Sequence, residues 1–137
     1  MEQIKYRKGY KYQLAEDYTI YTNLVGYQAN TEFIKLTLTG ILTIKQGYAW
    51  DGPSGPTIDT PDFMRGSIVH DALYQLLRQG LLPQEERRFV DKLLQDICLE
   101  DGMSKIRAHY VFEGVNMFGG SSANPKSKKE IITAPWD

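Results

Sequence analysis

The amino-acid sequence changes character once, and that change restricts the folds open to it. Seven of the nine tyrosines stand before Asp51, interleaved with Thr, Val and Ile, while from Thr60 onward apolar residues recur at helical spacing. Aromatic and β-branched runs suit a pleated surface, and recurrence every three to four residues suits an amphipathic helix. Strands grouped ahead of helices specify an α+β domain. We expect an N-terminal antiparallel sheet of about four strands, followed by a three-helix unit that contains an antiparallel helical hairpin.

Strands are expected near 10–14, 18–22, 31–38 and 41–45. In the third, Ile34, Leu36 and Leu38 alternate with Phe33, Lys35 and Thr37, so the two sets point to opposite faces. Thr39-Gly40 is read as a hairpin turn, and Glu16-Asp17 as the turn joining the first pair. The tyrosines are read as half-buried sheet residues rather than as a stacking platform for sugars or bases.

Thr60 is an N-cap type, Pro61 suits the first helical position, and Asp62 complements the helix dipole. Phe63, Ile68, Val69, Ala72, Leu73, Leu76 and Leu77 make an apolar surface broad enough to be buried on more than one side, and Gly80 ends the helix. Gly66, one turn before His70, leaves room for a loop or substrate. Pro83 opens the second helix, with Glu85 and Glu86 in its first turn. Its stripe is Phe89, Val90, Leu93, Leu94 and Ile97, and Gly102 closes it. A third helix runs over 104–118, with Ile106, Tyr110, Met117 and Phe118 inward, and stops at Gly119-Gly120. The domain therefore spans 1–120, and 121–137 is a linker and tail in which Ile131-Ile132 adds an edge strand.

A length of 137 residues fits one sizeable core. Net charge is −1, which makes no case for nucleic acid or an anionic membrane. The basic cluster Lys126, Lys128 and Lys129 reads as a solvated tail. One cysteine, Cys98, excludes an intrachain disulfide, implies a reducing compartment and reads as buried filler. No apolar run approaches the ~20 residues of a membrane span, and the first residues lack a signal-peptide shape.

Chemistry concentrates between Trp50 and Asp91. A Gly/Pro loop, Trp50-Asp51-Gly52-Pro53-Ser54-Gly55-Pro56, leads into the helix carrying His70-Asp71-x-x-Tyr74. In an antiparallel hairpin centred near Gly80, His70 and Asp91 each lie roughly 16 Å from the turn at ~1.5 Å per residue. They come out level, so Asp91 can hold the imidazole's tautomer. Asp91 sits at the border of the second helix's stripe. Its alternative is an exposed pair with Arg87, worth ~0.3–0.5 kcal/mol. His70 itself is read as a general base, a metal ligand or a structural histidine. Asp71 points about 100° away, toward the loop, where its carboxylate and backbone carbonyls suit calcium or another divalent cation. Its alternative is a salt bridge or cap on that loop. Asp51, His70, Asp71 and Asp91 do not follow a standard zinc spacing. Ser54 lacks the Gly-x-Ser-x-Gly elbow and is read as a turn residue. His109 is read as surface or core filler.

Two resemblances follow from these residues. Gln46-Gly47-Tyr48-Ala49-Trp50-Asp51-Gly52-Pro53-Ser54, His70-Asp71-Ala72-Leu73-Tyr74, and Arg88 with Asp91 resemble an uncharacterised domain family of tailed bacteriophages and prophages. In that family Ala usually stands at the position of Pro53. The resemblance implies a phage origin, and with it a host bacterial cytoplasm or a virion as the location. His70-Asp71-x-x-Tyr74 with Asp91 and the preceding loop also resembles phospholipase A2, especially its disulfide-free parvoviral capsid type. That likeness implies His70 as the base activating water, Tyr74 and Asp91 holding it, and Asp71 with Gly52 and Gly55, beside Asp51, binding calcium. The function expected is a phage-encoded hydrolase acting on a lipid or other ester. The alternative is a non-enzymatic virion or host-interaction protein in which the His-Asp helix is structural.

Overall fold

A computed structural model describes residues 3–4, 6–9, 11–52, 60–118 and 123, with the backbone alone for 6–9, Lys11 and Phe118. Strands come first and helices after them, so the fold is α+β. The strands form two antiparallel sheets instead of one. The smaller holds β1 (Tyr6–Gly9), β2 (Lys11–Leu14) and β7 (Ala49–Trp50), in the order β1-β2-β7. The larger holds β3 (Tyr18–Tyr21), β4 (Ala29–Asn30), β5 (Ile34–Leu36) and β6 (Ile41–Ile44), in the order β3-β6-β5-β4.

The four strands expected before Asp51 are present as β2, β3, β5 and β6, joined by the unexpected β1, β4 and β7, yet Glu16-Asp17 does not close a hairpin. β2 pairs with β1 and β7, while β3 pairs with β6, so the Glu16-Asp17 bend carries the chain from one sheet to the other. Asp17 anchors that bend by accepting the Gln46 amide at 2.7 Å. The hairpin at Thr39-Gly40 is present, with Gly40 at φ +90° and its amide bonded to the Thr37 carbonyl. Ile34 and Leu36 face the core as their alternation requires. Leu38 lies beyond β5 and is exposed, because the chain has already begun to turn.

The helices are α1 (Pro61–Arg78), α2 (Arg87–Glu100) and α3 (Lys105–Phe118). A single 3-10 turn, Gln84–Glu86, separates Pro83 from α2. Thr60 occupies the N-cap position, but its hydroxyl bonds the Asp62 carboxylate rather than a backbone amide, and receives Arg107 Nη1 at 2.9 Å. Both hairpin helices end alike. The Gly80 and Leu81 amides bond the Leu77 and Leu76 carbonyls, and those of Gly102 and Met103 bond Leu99 and Cys98. This double closure with a left-handed glycine satisfies carbonyls that the helix end would leave open.

α1 is the central helix, buried along most of its length, including Ile68, Val69, Ala72, Leu73, Leu76 and Leu77. These residues share one core with Leu14, Ile34, Leu36, Leu42 and Ile44 of the sheets. Gly66 opens space for neither loop nor substrate. A Cβ there would stand 2.9 Å from Leu94 Cδ1 and 3.1 Å from Cys98 Sγ, so it is α2 that closes on α1 at this point. Cys98 is fully buried, as filler should be. Phe89, read as part of the α2 stripe, is exposed at its edge.

α3 turns the opposite face inward from the one its composition suggests. Ala108, Val111 and Phe112 are buried, whereas Ile106, Tyr110 and Met117 are exposed. The cause is the start of the helix, where Arg107 binds Thr60 and Asp62 and lies over the Phe63 ring, which fixes the rotation. Ala123 is buried and its carbonyl accepts Gln84 Nε2 at 2.8 Å, so the chain beyond 120 returns to the core at that residue. Gly119-Gly120, the tail lysines and Ile131-Ile132 lie outside the described residues.

Candidate functional site

Three sequence-predicted residues meet in one place. His70 Nε2 lies 2.7 Å from Asp91 Oδ1, and the Tyr74 hydroxyl donates to the same oxygen at 2.6 Å. His70 and Tyr74 are one turn apart on α1, and their rings stack with centroids 4.1 Å apart. Asp91 comes from α2 and is level with them across the hairpin. The exposed-pair alternative for Asp91 does not hold, because its side chain is 0% exposed. Arg87 is nonetheless present: its Nη1 lies 3.5 Å from Asp91 Oδ2 and donates more closely, at 3.0 Å, to the Asn116 carbonyl of α3.

These bonds assign the histidine tautomer. A carboxylate accepts and does not donate. Burial, reinforced by the bond to Asp91, raises the Tyr74 pKa well above the usual phenol value, so its hydroxyl stays a donor. His70 therefore presents Nε2–H to Asp91, and Nδ1 is the ring nitrogen that this carboxylate does not engage. Nδ1 has no hydrogen-bond partner among the described residues. No buried side-chain nitrogen or oxygen among them lacks a partner, so Nδ1 reaches solvent. The His70 side chain is 14% exposed, a ring held on one edge and open on the other.

Asp71 is braced separately. Tyr48 donates its hydroxyl to Asp71 Oδ2 at 2.5 Å, and Trp50 Nε1 donates to Ser67 Oγ at 3.0 Å. Residues two apart on an extended chain are ~6.8 Å apart, and residues four apart on a helix ~6 Å. The run 48–50 therefore lies along the 67–71 face of α1 with its aromatic side chains in step. Burial above all, and then the Asp71 charge, raises the Tyr48 pKa well above its ordinary value, so it too remains a donor. Tyr48 was missed as a site residue by sequence reasoning. Its two-residue spacing from Trp50 was the available signal.

Asp71 is met by Tyr48, ahead of the loop, whereas the loop 50–56 leaves from Trp50 beside Ser67, one turn earlier on α1, with Asp51 exposed and Gly52 at φ +75°. Ser54 and Gly55 lie outside the described residues. Calcium takes six to eight oxygens. Asp71 already accepts the Tyr48 hydroxyl, and among the described residues no three His, Cys, Asp or Glu side chains cluster to hold a metal. The described donors do not by themselves make a calcium set. His109 is exposed on α3, consistent with surface filler.

No family model, curated protein or solved structure matches the chain. No described helix is long and apolar enough to cross a membrane.

Proposed function

We propose that the chain is a phage-encoded hydrolase in which His70 Nδ1 is the general base, with a lipid ester as the first substrate class. The observation that carries this reading is an imidazole anchored through Nε2 to a buried carboxylate while Nδ1 faces solvent. His70 takes a proton from water through Nδ1, and the water oxygen attacks the ester carbonyl carbon. The tetrahedral adduct expels the alcohol, which receives that proton from His70, and a carboxylic acid remains. Asp91 supports the transient imidazolium through Nε2–H, and Tyr74 keeps Asp91 in place.

Parent protein and His70→Gln are assayed on phosphatidylcholine and on a soluble ester, with and without added calcium. General-base catalysis contributes ~10²–10⁴-fold, so His70→Gln should lose at least ~10²-fold with its thermal midpoint largely kept. Calorimetry with calcium, magnesium and manganese addresses the cation. A binding heat abolished by Asp71→Asn would support one at the loop, and no heat from any of the three removes it from the mechanism.

A second reading is favoured by the burial of Asp91. The His70–Asp91–Tyr74 bonds tie α1 to α2, as they would in a virion or host-interaction module. That reading prevails if the parent cleaves no ester and His70→Gln lowers the melting midpoint sharply.

A further inference from the structure

The strands and loops at one end of the four-stranded sheet carry no charged residue of their own, and the acidic residues described beside them are Glu86 and Glu85, at Tyr27. Residues 18–31 and 36–44 contain no Asp, Glu, Lys, Arg or His. The whole chain is 24% charged, close to an ordinary domain, and a run of this combined length would carry about five charged residues at that density. The opposite end of the same sheet has Glu16, Asp17, Glu32 and Lys45 beside it. The sheet is thus polarised along its strands.

The uncharged end displays Tyr21, Val25 and Leu38, which are 56%, 57% and 56% exposed. They form one tip. The Gly26 amide bonds the Leu38 carbonyl at 2.8 Å, the Thr22 amide bonds the Gly40 carbonyl at 2.8 Å, and the Tyr21 ring lies against Gly40. The scaffold beneath is pinned: buried Thr22 donates its hydroxyl to the Gly40 carbonyl and accepts the Leu24 amide. Tyr27 donates to Glu86 at 2.7 Å, which holds the same loop against the approach to α2.

We propose that Tyr21, Val25 and Leu38 form a docking tip for an uncharged lipid surface, an inference that rests on the lipid-ester reading above and specifies how such a substrate is met. An uncharged apolar tip edged by Thr and Asn is suited to the boundary between headgroups and acyl chains, where a tyrosine ring is apolar on its body and wet at its hydroxyl. A second copy of the chain is a poorer occupant. A stable protein interface needs ~800 Å² from each partner, far beyond what three half-exposed side chains supply. The exposed face of α3 differs, since Ile106, Tyr110 and Met117 there are interspersed with exposed Lys105, His109 and Glu113.

The test is co-sedimentation of the full chain with zwitterionic phosphatidylcholine vesicles, using His70→Gln so that the lipid persists. Binding should survive roughly 0.5 M salt, because no charge pairing needs to be screened. Val25→Asp and Leu38→Asp, both at exposed sites, should each weaken it at least ~10-fold with unchanged thermal midpoints. Ile106→Asp on α3 should leave it unaltered. Failure of the protein to bind these vesicles, or equal binding by both Asp variants, overturns the proposal. So does self-association in sedimentation velocity that Leu38→Asp abolishes, which would assign the tip to a second copy. Cleavage of a soluble ester without vesicle binding defeats the docking tip alone, whereas vesicle binding with no hydrolysis by the parent defeats the enzyme alone.

Discussion

Asp91 accepts two short hydrogen bonds on one oxygen while a guanidinium stands near the other, all inside a side chain with no exposure. Each donor can be removed separately. Tyr74→Phe takes away one hydroxyl and leaves His70 anchored, so a loss of about 0.5–1.5 kcal/mol is expected in urea unfolding, with hydrolysis little changed. Asp91→Asn sets an amide against three donors. It should cost about 1–3 kcal/mol and lower hydrolysis by less than His70→Gln, since Asp91 orients the ring without taking the proton. A larger rate loss in Asp91→Asn than in His70→Gln would contradict the assigned roles. The trio was legible in the sequence because helical rise and a single turn set which residues are level. The Tyr48–Asp71 bond was not legible, because it depends on which strand lies against α1.

At the scale of elements, three glycines carry different constraints. Gly66 lets α2 approach α1. Gly66→Ala would press on Leu94 and Cys98, both buried, at an overpacking cost of about 1–3 kcal/mol, of which better helix propensity returns at most about 1. A net loss in the urea midpoint is expected. Gly80 and Gly102 have open space where a Cβ would stand, so their Ala variants meet only backbone strain at φ +74° and +97°. That strain is worth roughly 1–2 kcal/mol each, and the two losses should add in the double variant because the sites belong to separate helix ends. Both helix ends were readable as glycine punctuation. The rotation of α3 was not, since Ile106, Tyr110 and Met117 are as apolar as the residues buried in their place, and the choice fell to the Arg107 anchor.

For the whole molecule, three buried groups make stability fall at alkaline pH. Burial pushes the Cys98 thiol up to about 12 from its ordinary 9.0, and raises Tyr48 and Tyr74 above 10.0. A raised folded-state pKa contributes stability that is whole below the unfolded value and is lost as pH rises through the folded one. Stability is therefore untouched by these groups below about pH 9; Cys98 erodes it from there to about pH 12 and the two tyrosines from about pH 10 upward, each by at most about 1.4 kcal/mol per pH unit. Urea midpoints at pH 8 and pH 11 check this, and Cys98→Ala should flatten the fall without removing it. What the sequence determined by itself was strands ahead of helices, the glycine ends of the two hairpin helices, and the level pairing of His70 with Asp91 across one turn. The tertiary structure alone decided that the strands divide into two sheets, that Tyr48 braces Asp71, and which face α3 buries. Those outcomes depend on pairings between segments distant along the chain, where many partners of similar apolarity compete and only the packed whole selects among them.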